Sequence, residues 1–206
     1  MKSDSDNPFG LTKASHFSDK KIHELWVDFP VEGGFEKIVL PASPMPMLIL
    51  GGKGSGKTHL MRHLSFNLQK LRYRNDILKG IKRERYIGIY LLGSALDDHR
   101  FSGKGQNSDV WNSFFAYYMD LYLAELTLNT ITDLFAGNPE LIGNQAEICK
   151  DLTGIFDSYQ NRTPETISEL INQIGLIRKD INIAVNNCSV TGELGNFSIT
   201  QGNSEY

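Results

Sequence analysis

Cysteine is scarce: the 206-residue chain has two, Cys149 and Cys188, far apart and without metal-ligand spacing. That count favours a reduced, cytoplasmic setting over a disulfide framework. Long hydrophobic runs are absent too. No stretch approaches the roughly 18 apolar residues that a membrane helix needs, so no membrane partner is expected. The start, Met1-Lys2-Ser3-Asp4-Ser5-Asp6, is polar and acidic and has no apolar segment of a secretion signal. Net charge is also small, at −3, but it hides an asymmetry. Residues 57–104 hold eleven Lys or Arg against four Asp or Glu, whereas residues 105–206 hold four against thirteen. The basic stretch fits either a nucleic-acid contact or a solvated helix end near a polyphosphate. No aromatic residues are interleaved with Lys79, Lys82, Arg83 and Arg85 to make a stacking surface, which favours the second reading.

What the sequence does have is Gly51-Gly52-Lys53-Gly54-Ser55-Gly56-Lys57-Thr58, between the apolar run Met47–Leu50 and the amphipathic start His59–Leu64. This fits G-x-x-x-x-G-K-[ST], the phosphate-binding loop of P-loop nucleoside triphosphatases, with the strand before and helix after that the motif needs. Glycines let the backbone turn through crowded conformations and aim successive N–H groups into one concavity, where a polyphosphate can sit at a helix's positive end. Lys57 is expected to reach the β and γ phosphates, and Thr58 to offer its hydroxyl to Mg²⁺. A glycine-rich turn without chemistry would explain Gly51, Gly52, Gly54 and Gly56, but not the Lys and Thr that follow. Lys53 occupies an unconstrained position of the motif and reads as a solvated side chain within the loop.

In chain order, residues 1–21 read as a flexible arm. Ile22, Leu25, Trp26 and Phe29 recur at helical spacing until Pro30. Three prolines between Pro41 and Pro46 rule out a central strand there. Met47–Leu50 and Tyr86–Leu92 read as buried parallel strands, joined through a helix from Thr58 to about Tyr73–Asn75 whose Leu60, Leu64, Leu68 and Leu71 lie on the sheet. Edge pieces are expected near Phe35–Leu40 and Phe197–Thr200. Asp97-Asp98 is the one acidic pair after the second strand that could serve Mg²⁺, but four residues separate it from the apolar run, and a surface turn or helix cap explains it better.

From Val110 three helices follow without an intervening strand. Trp111, Phe114, Phe115, Tyr118, Leu121, Tyr122 and Leu126 mark the first, capped by Ser108 or Asp109 and laid on a sheet. Leu141, Ile142, Ala146, Cys149, Leu152, Ile155 and Phe156 mark the second, with Cys149 as a buried thiol. Thr163 as cap, Pro164 at the first position and the stripe Ile167, Leu170, Ile171, Ile174, Ile177, Ile181 and Ala184 mark the third, ending near Asn186-Asn187.

The phosphate loop, the preceding Phe35–Pro41, the strand Ile87–Leu91 and the aromatic run Trp111–Leu126 together resemble the N-terminal portion of bacterial AAA-type ATPases related to origin-recognition proteins. The likeness runs from about residue 20 to about residue 188. It implies an ATPase core with Gly51, Gly56, Lys57 and Thr58 on the phosphate loop and ATP with Mg²⁺ as ligands. The family pattern continues with a strand ending in acids, sensor and arginine elements and a C-terminal module, none of which this sequence displays. The implied fold is α/β: an incomplete three-layer α/β/α P-loop core over residues 22–188, enlarged by a helical section at 110–188, with 189–206 a polar tail or edge strand. Such a sheet leaves edges open, so self-association is expected.

Function divides three ways at this stage. The first is binding of ATP through Gly51, Gly52, Lys53, Gly54, Ser55, Gly56, Lys57 and Thr58, with weak or no hydrolysis. The second is a DNA-associated ATPase component that contacts phosphates through Lys79–Arg85. The third is an interaction protein that presents helices 110–188 to a partner protein or to a missing C-terminal half.

Overall fold

Residues 13–37, 39–41, 43–74, 76–137, 139–153 and 163–192 are described by the computed structural model, and every regular element among them is helical. The expected three-layer α/β/α core is therefore corrected: among the described residues there is no strand and no sheet. The expectations at Phe197–Thr200, at residues 1–12 and at Ile155–Phe156 fall outside the described residues. The self-association drawn from open strand edges falls with the sheet.

The chain divides after Tyr90 into two units. The N-terminal unit holds α1 (Asp19–Glu24), α2 (Lys57–His63), α3 (Phe66–Arg72) and α4 (Ile77–Glu84). Both stretches read as strands lack ladder partners among the described residues. In the second of them, Tyr86–Leu92, other groups take the backbone's bonds. Phe66 N–H, at the start of α3, donates to Gly88 O at 2.6 Å, and Gly88 N–H donates to Gln69 Oε1 at 3.1 Å. Gln69 Nε2 donates to Tyr86 O at 3.0 Å. A helix end thus satisfies the backbone that a neighbouring strand would have used. Gly88 permits this approach, because a Cβ there would lie 1.8 Å from Leu64 O. The same contact divides the long helix expected from Thr58 onward, which breaks at Leu64-Ser65 into α2 and α3. Phe35, Val39 and Leu60 form a small core with Trp26, Ile49 and Leu64 packed against it.

The C-terminal unit is built on two long helices, α5 (Ser108–Leu134) and α7 (Ile167–Thr191), with α6 (Gln145–Thr153) packed on α7. Trp111, Phe114, Tyr118, Leu121 and Leu128 of α5 are buried, spaced at threes, fours and one seven. Ile167, Leu170, Ile174, Ile177, Ile181, Val185 and Cys188 answer them from α7 at the same kind of spacing. Two such stripes pack along their length as a helical pair. The aromatic stripe read as helix on sheet is consequently helix on helix. Its cap is Asn107, whose side chain accepts from Asp109 N–H at 3.0 Å, one position before the residues expected. Thr166 rather than Thr163 caps α7, and Gly192, in the left-handed region at φ 74°, closes it five residues beyond Asn187. Among the described residues no helix is long and apolar enough to cross a membrane.

Candidate nucleotide-binding site

The glycine-rich loop keeps the backbone freedom its sequence announces: Gly54 and Gly56 stand in the left-handed region, at φ 87° and 82°. Gly56 is the residue before α2, so Lys57 opens the helix with its side chain turned back over the loop. Lys57 Nζ donates to Gly51 O at 2.6 Å, to Gly52 O at 2.7 Å and to Ser55 Oγ at 3.2 Å. A Cβ at Gly52, Gly54 or Gly56 would meet open space, whereas one at Gly51 would lie 2.6 Å from Ser55 Oγ. Gly51–Gly56 are exposed, Lys53 among them, and Thr58 is half-buried. The eight residues singled out in the sequence thus form one continuous loop and helix start.

Beside the loop lies a cleft of about 650 Å³ that the sequence pattern did not reveal. Leu25, Trp26, Val27 and Phe29 line one part of it, and Met47–Leu50 with Ser55, Gly56 and Lys57 another. The signal for it was present in Trp26-Val27-Asp28-Phe29, read only as the tail of a helix. The helix itself stops at Glu24, and Asp28 holds the turn beyond it, its Oδ1 accepting from Phe29 N–H and from Phe35 N–H, both at 2.8 Å.

Behind the loop, α2 is held by three side chains at helical spacing. His59 Nε2 lies 3.0 Å from Ile22 O. Arg62 binds Ala14 O and Phe17 O, each at 2.6 Å, and Asp19 at 2.5 Å. His63 stacks on Trp26, with ring centroids 3.5 Å apart. Burial, reinforced by the Arg72 guanidinium, lowers His63 from its ordinary 6.5 to about 3. The native unit therefore holds a neutral imidazole at pH values where the unfolded chain takes up a proton. A depressed folded-state pKa gives stability that is full above pH 6.5 and declines as pH falls toward 3, by about 1.4 kcal/mol per pH unit. The urea stability of the N-terminal unit should fall by about 2 kcal/mol between pH 6.5 and 5, and His63→Gln should remove most of that slope. An unchanged slope in the variant would show that His63 is not its source.

Of the other candidates, Asp98 behaves as a turn residue, its Oδ1 accepting from His99 N–H at 2.9 Å, and Asp97 stands exposed at φ 47°. Among the described residues no group of three or more His, Cys, Asp or Glu is gathered as a metal site. Lys79, Lys82 and Arg83 lie exposed on α4, with Arg74 and Arg85 exposed at either side of it. Cys149 is buried in the α6–α7 contact, and burial pushes its thiol pKa up, as suits a core residue.

No curated protein and no solved structure matches the chain. A family model does, over residues 7–202, which takes in the glycine-rich loop, the cleft and both long helices; the chain belongs to the ORC-CDC6-like family.

Proposed function

We propose that the protein binds ATP with Mg²⁺ through Gly51–Thr58, as a P-loop module of an AAA-like ATPase with little hydrolysis of its own. The observation that carries this reading is Lys57. Its ammonium is held over the loop by Gly51 O, Gly52 O and Ser55 Oγ, three weak substitutes for the oxygens of a polyphosphate. Thr58, next along α2, is the residue whose hydroxyl would hold Mg²⁺, and the metal would neutralise β- and γ-phosphate charge. The apolar cleft is in the range of small-ligand sites, roughly 300–1,000 Å³, and its Trp26–Phe29 wall suits the nucleoside end. Family membership supports the AAA relation. Calorimetric titration of the folded chain with ATP and Mg²⁺ tests the reading: saturable binding is expected, and its absence rejects it.

One observation favours a second reading, DNA contact. Arg74, Lys79 and Arg83 line a hollow of about 480 Å³ with Asp76 the one acid on its rim. Phosphate binding there should weaken steeply with salt, and should be lost when Lys79, Lys82 and Arg83 are replaced by Ala. Fluorescence anisotropy with a DNA duplex at low salt decides it; no binding removes the reading.

A further inference from the structure

The face of α2 turned away from the loop is the less obvious part of this unit. His59, Arg62 and His63 are spaced at i, i+3 and i+4 and so share one side of the helix. All three hold the same stretch of chain, residues 14–26. Lys57, five residues before Arg62, is on another side and reaches the loop. A single helix of two turns therefore touches the phosphate loop at one end and grips the N-terminal segment along its back.

That segment packs through α1 on both α2 and α3, with Ile22 fully buried. α1 is six residues long, too short to persist alone in water, and its cap is one bond from Lys21 N–H to Ser18 Oγ at 3.2 Å. Its first residues are tied to α2 by the Arg62 guanidinium, whose side chain is only 12% exposed. It gathers the two carbonyls that bound the turn Ala14–Phe17 and the carboxylate of Asp19, the first residue of α1. From there the path to the cleft is short. Ile22 is fully buried, Trp26 lies flat on His63 and edge-on to Phe35 at 5.7 Å, and Leu25, Trp26, Val27 and Phe29 make the cleft wall.

We propose that Arg62 is a positioning residue for the nucleoside end of the site: by docking residues 14–19 it sets the Leu25–Phe29 wall, so that cleft occupancy and segment docking stabilise one another. The inference rests on the nucleotide reading above and adds a regulated element to it. Coupling of this kind is reciprocal, because a ligand that binds better with the segment docked must favour docking by the same factor. In the phosphate loop the Lys57 ammonium is bonded to Gly51 O, Gly52 O and Ser55 Oγ, all within the loop itself.

Two ligands separate these parts: ATP, which reaches loop and cleft, and inorganic tripolyphosphate, which reaches the loop alone, each titrated with Mg²⁺ by calorimetry on the full chain. Arg62→Ala should weaken ATP about tenfold, within the usual range of coupling between sites, and leave tripolyphosphate unchanged. Arg62→Lys should recover part of the loss. Asp19→Asn keeps the arginine in place and should act in the same direction with a smaller effect, which preserves the test if Arg62→Ala is poorly folded. Hydrogen exchange at the amides of residues 19–26 should slow when ATP is added to the wild-type chain. Equal weakening of both ligands in Arg62→Ala would mean general damage to α2 and overturn the proposal. Unchanged ATP affinity, or unchanged exchange with ATP bound, would overturn it while the nucleotide reading stands. A folded wild-type chain that binds neither ligand overturns both.

Discussion

Replacing Glu84 by Ala should destabilise the N-terminal unit by about 3–5 kcal/mol, the usual cost of removing one partner from a buried ion pair. Glu84 ends α4 with its side chain 3% exposed, and Arg72 ends α3 at 15%. Arg72 Nε and Nη2 donate to Oε1 at 3.1 and 3.0 Å, and Nη2 also reaches Oε2 at 3.0 Å. Gln69 Nε2 adds a bond to Oε2 at 2.8 Å. Burial pushes the carboxyl pKa up, but the bonds from Arg72 and Gln69 outweigh it and hold the group below the usual carboxylate range. Glu84→Ala leaves the guanidinium buried without its anion and frees Gln69, which also holds Tyr86 O and Gly88 N–H. The loss therefore spreads from the helix ends into the chain at Tyr86–Gly88. Urea denaturation read by hydrogen exchange should show residues 57–90 opening early, with α5 and α7 unaffected. Replacing Arg72 and Glu84 together by Met should cost less than Glu84→Ala, because no unpaired charge remains. A loss below 1 kcal/mol in Glu84→Ala would show that the network is solvated.

The same network explains why Tyr86–Leu92 does not pair as the strand expected from sequence. Met47–Leu50 and Tyr86–Leu92 are short apolar runs, and such runs do not declare their hydrogen-bond partners. Nothing in the local sequence says that Gln69, seventeen and nineteen residues away, will take Tyr86 O and Gly88 N–H. The break between α2 and α3 is hidden for the same reason, since it depends on Gly88 approaching Leu64. In α7 the pattern was legible because seven turns repeat one stripe, and Ile167, Leu170, Ile174, Ile177 and Ile181 are all buried. Its end was not: Asn186-Asn187 read as a stop, yet both lie on the exposed side, and Cys188 returns to the stripe. The candidate site divides in the same way. Gly51–Thr58 is a contiguous motif that spacing alone exposes. Its partners Trp26, Asp19 and Arg62 are joined across 43 residues by the Arg62–Asp19 bond and leave no local signature.

Lys57→Ala should weaken ATP binding about 100-fold or more while lowering stability by less than about 1 kcal/mol. The first figure follows from charged hydrogen bonds, which contribute about 1.5–3 kcal/mol each, with 1.4 kcal/mol for each factor of ten. The second follows from where the side chain lies: it contacts exposed loop carbonyls rather than the Phe35–Val39–Leu60 core, and water can replace it there. Binding and turnover should also separate in the wild-type chain. Hydrolysis needs a carboxylate beside Mg²⁺, a group to orient water and a cation against the γ-phosphate as charge develops. In the N-terminal unit Asp19 and Glu84 are taken by Arg62 and Arg72, Asp28 and Asp76 accept backbone N–H groups, Glu24 pairs with Lys20, and Glu32 and Glu36 are exposed. Arg62 and Arg72 are held in those same pairs, so neither cation is poised for the γ-phosphate. Phosphate release should accordingly fall well below the roughly 1–100 s⁻¹ of kinases. A malachite-green assay beside calorimetry reads both quantities. Release at several per second, abolished by Lys57→Ala, would mean that a carboxylate outside this set serves the metal, and Asp97→Asn and Asp98→Asn would be the next variants to assay.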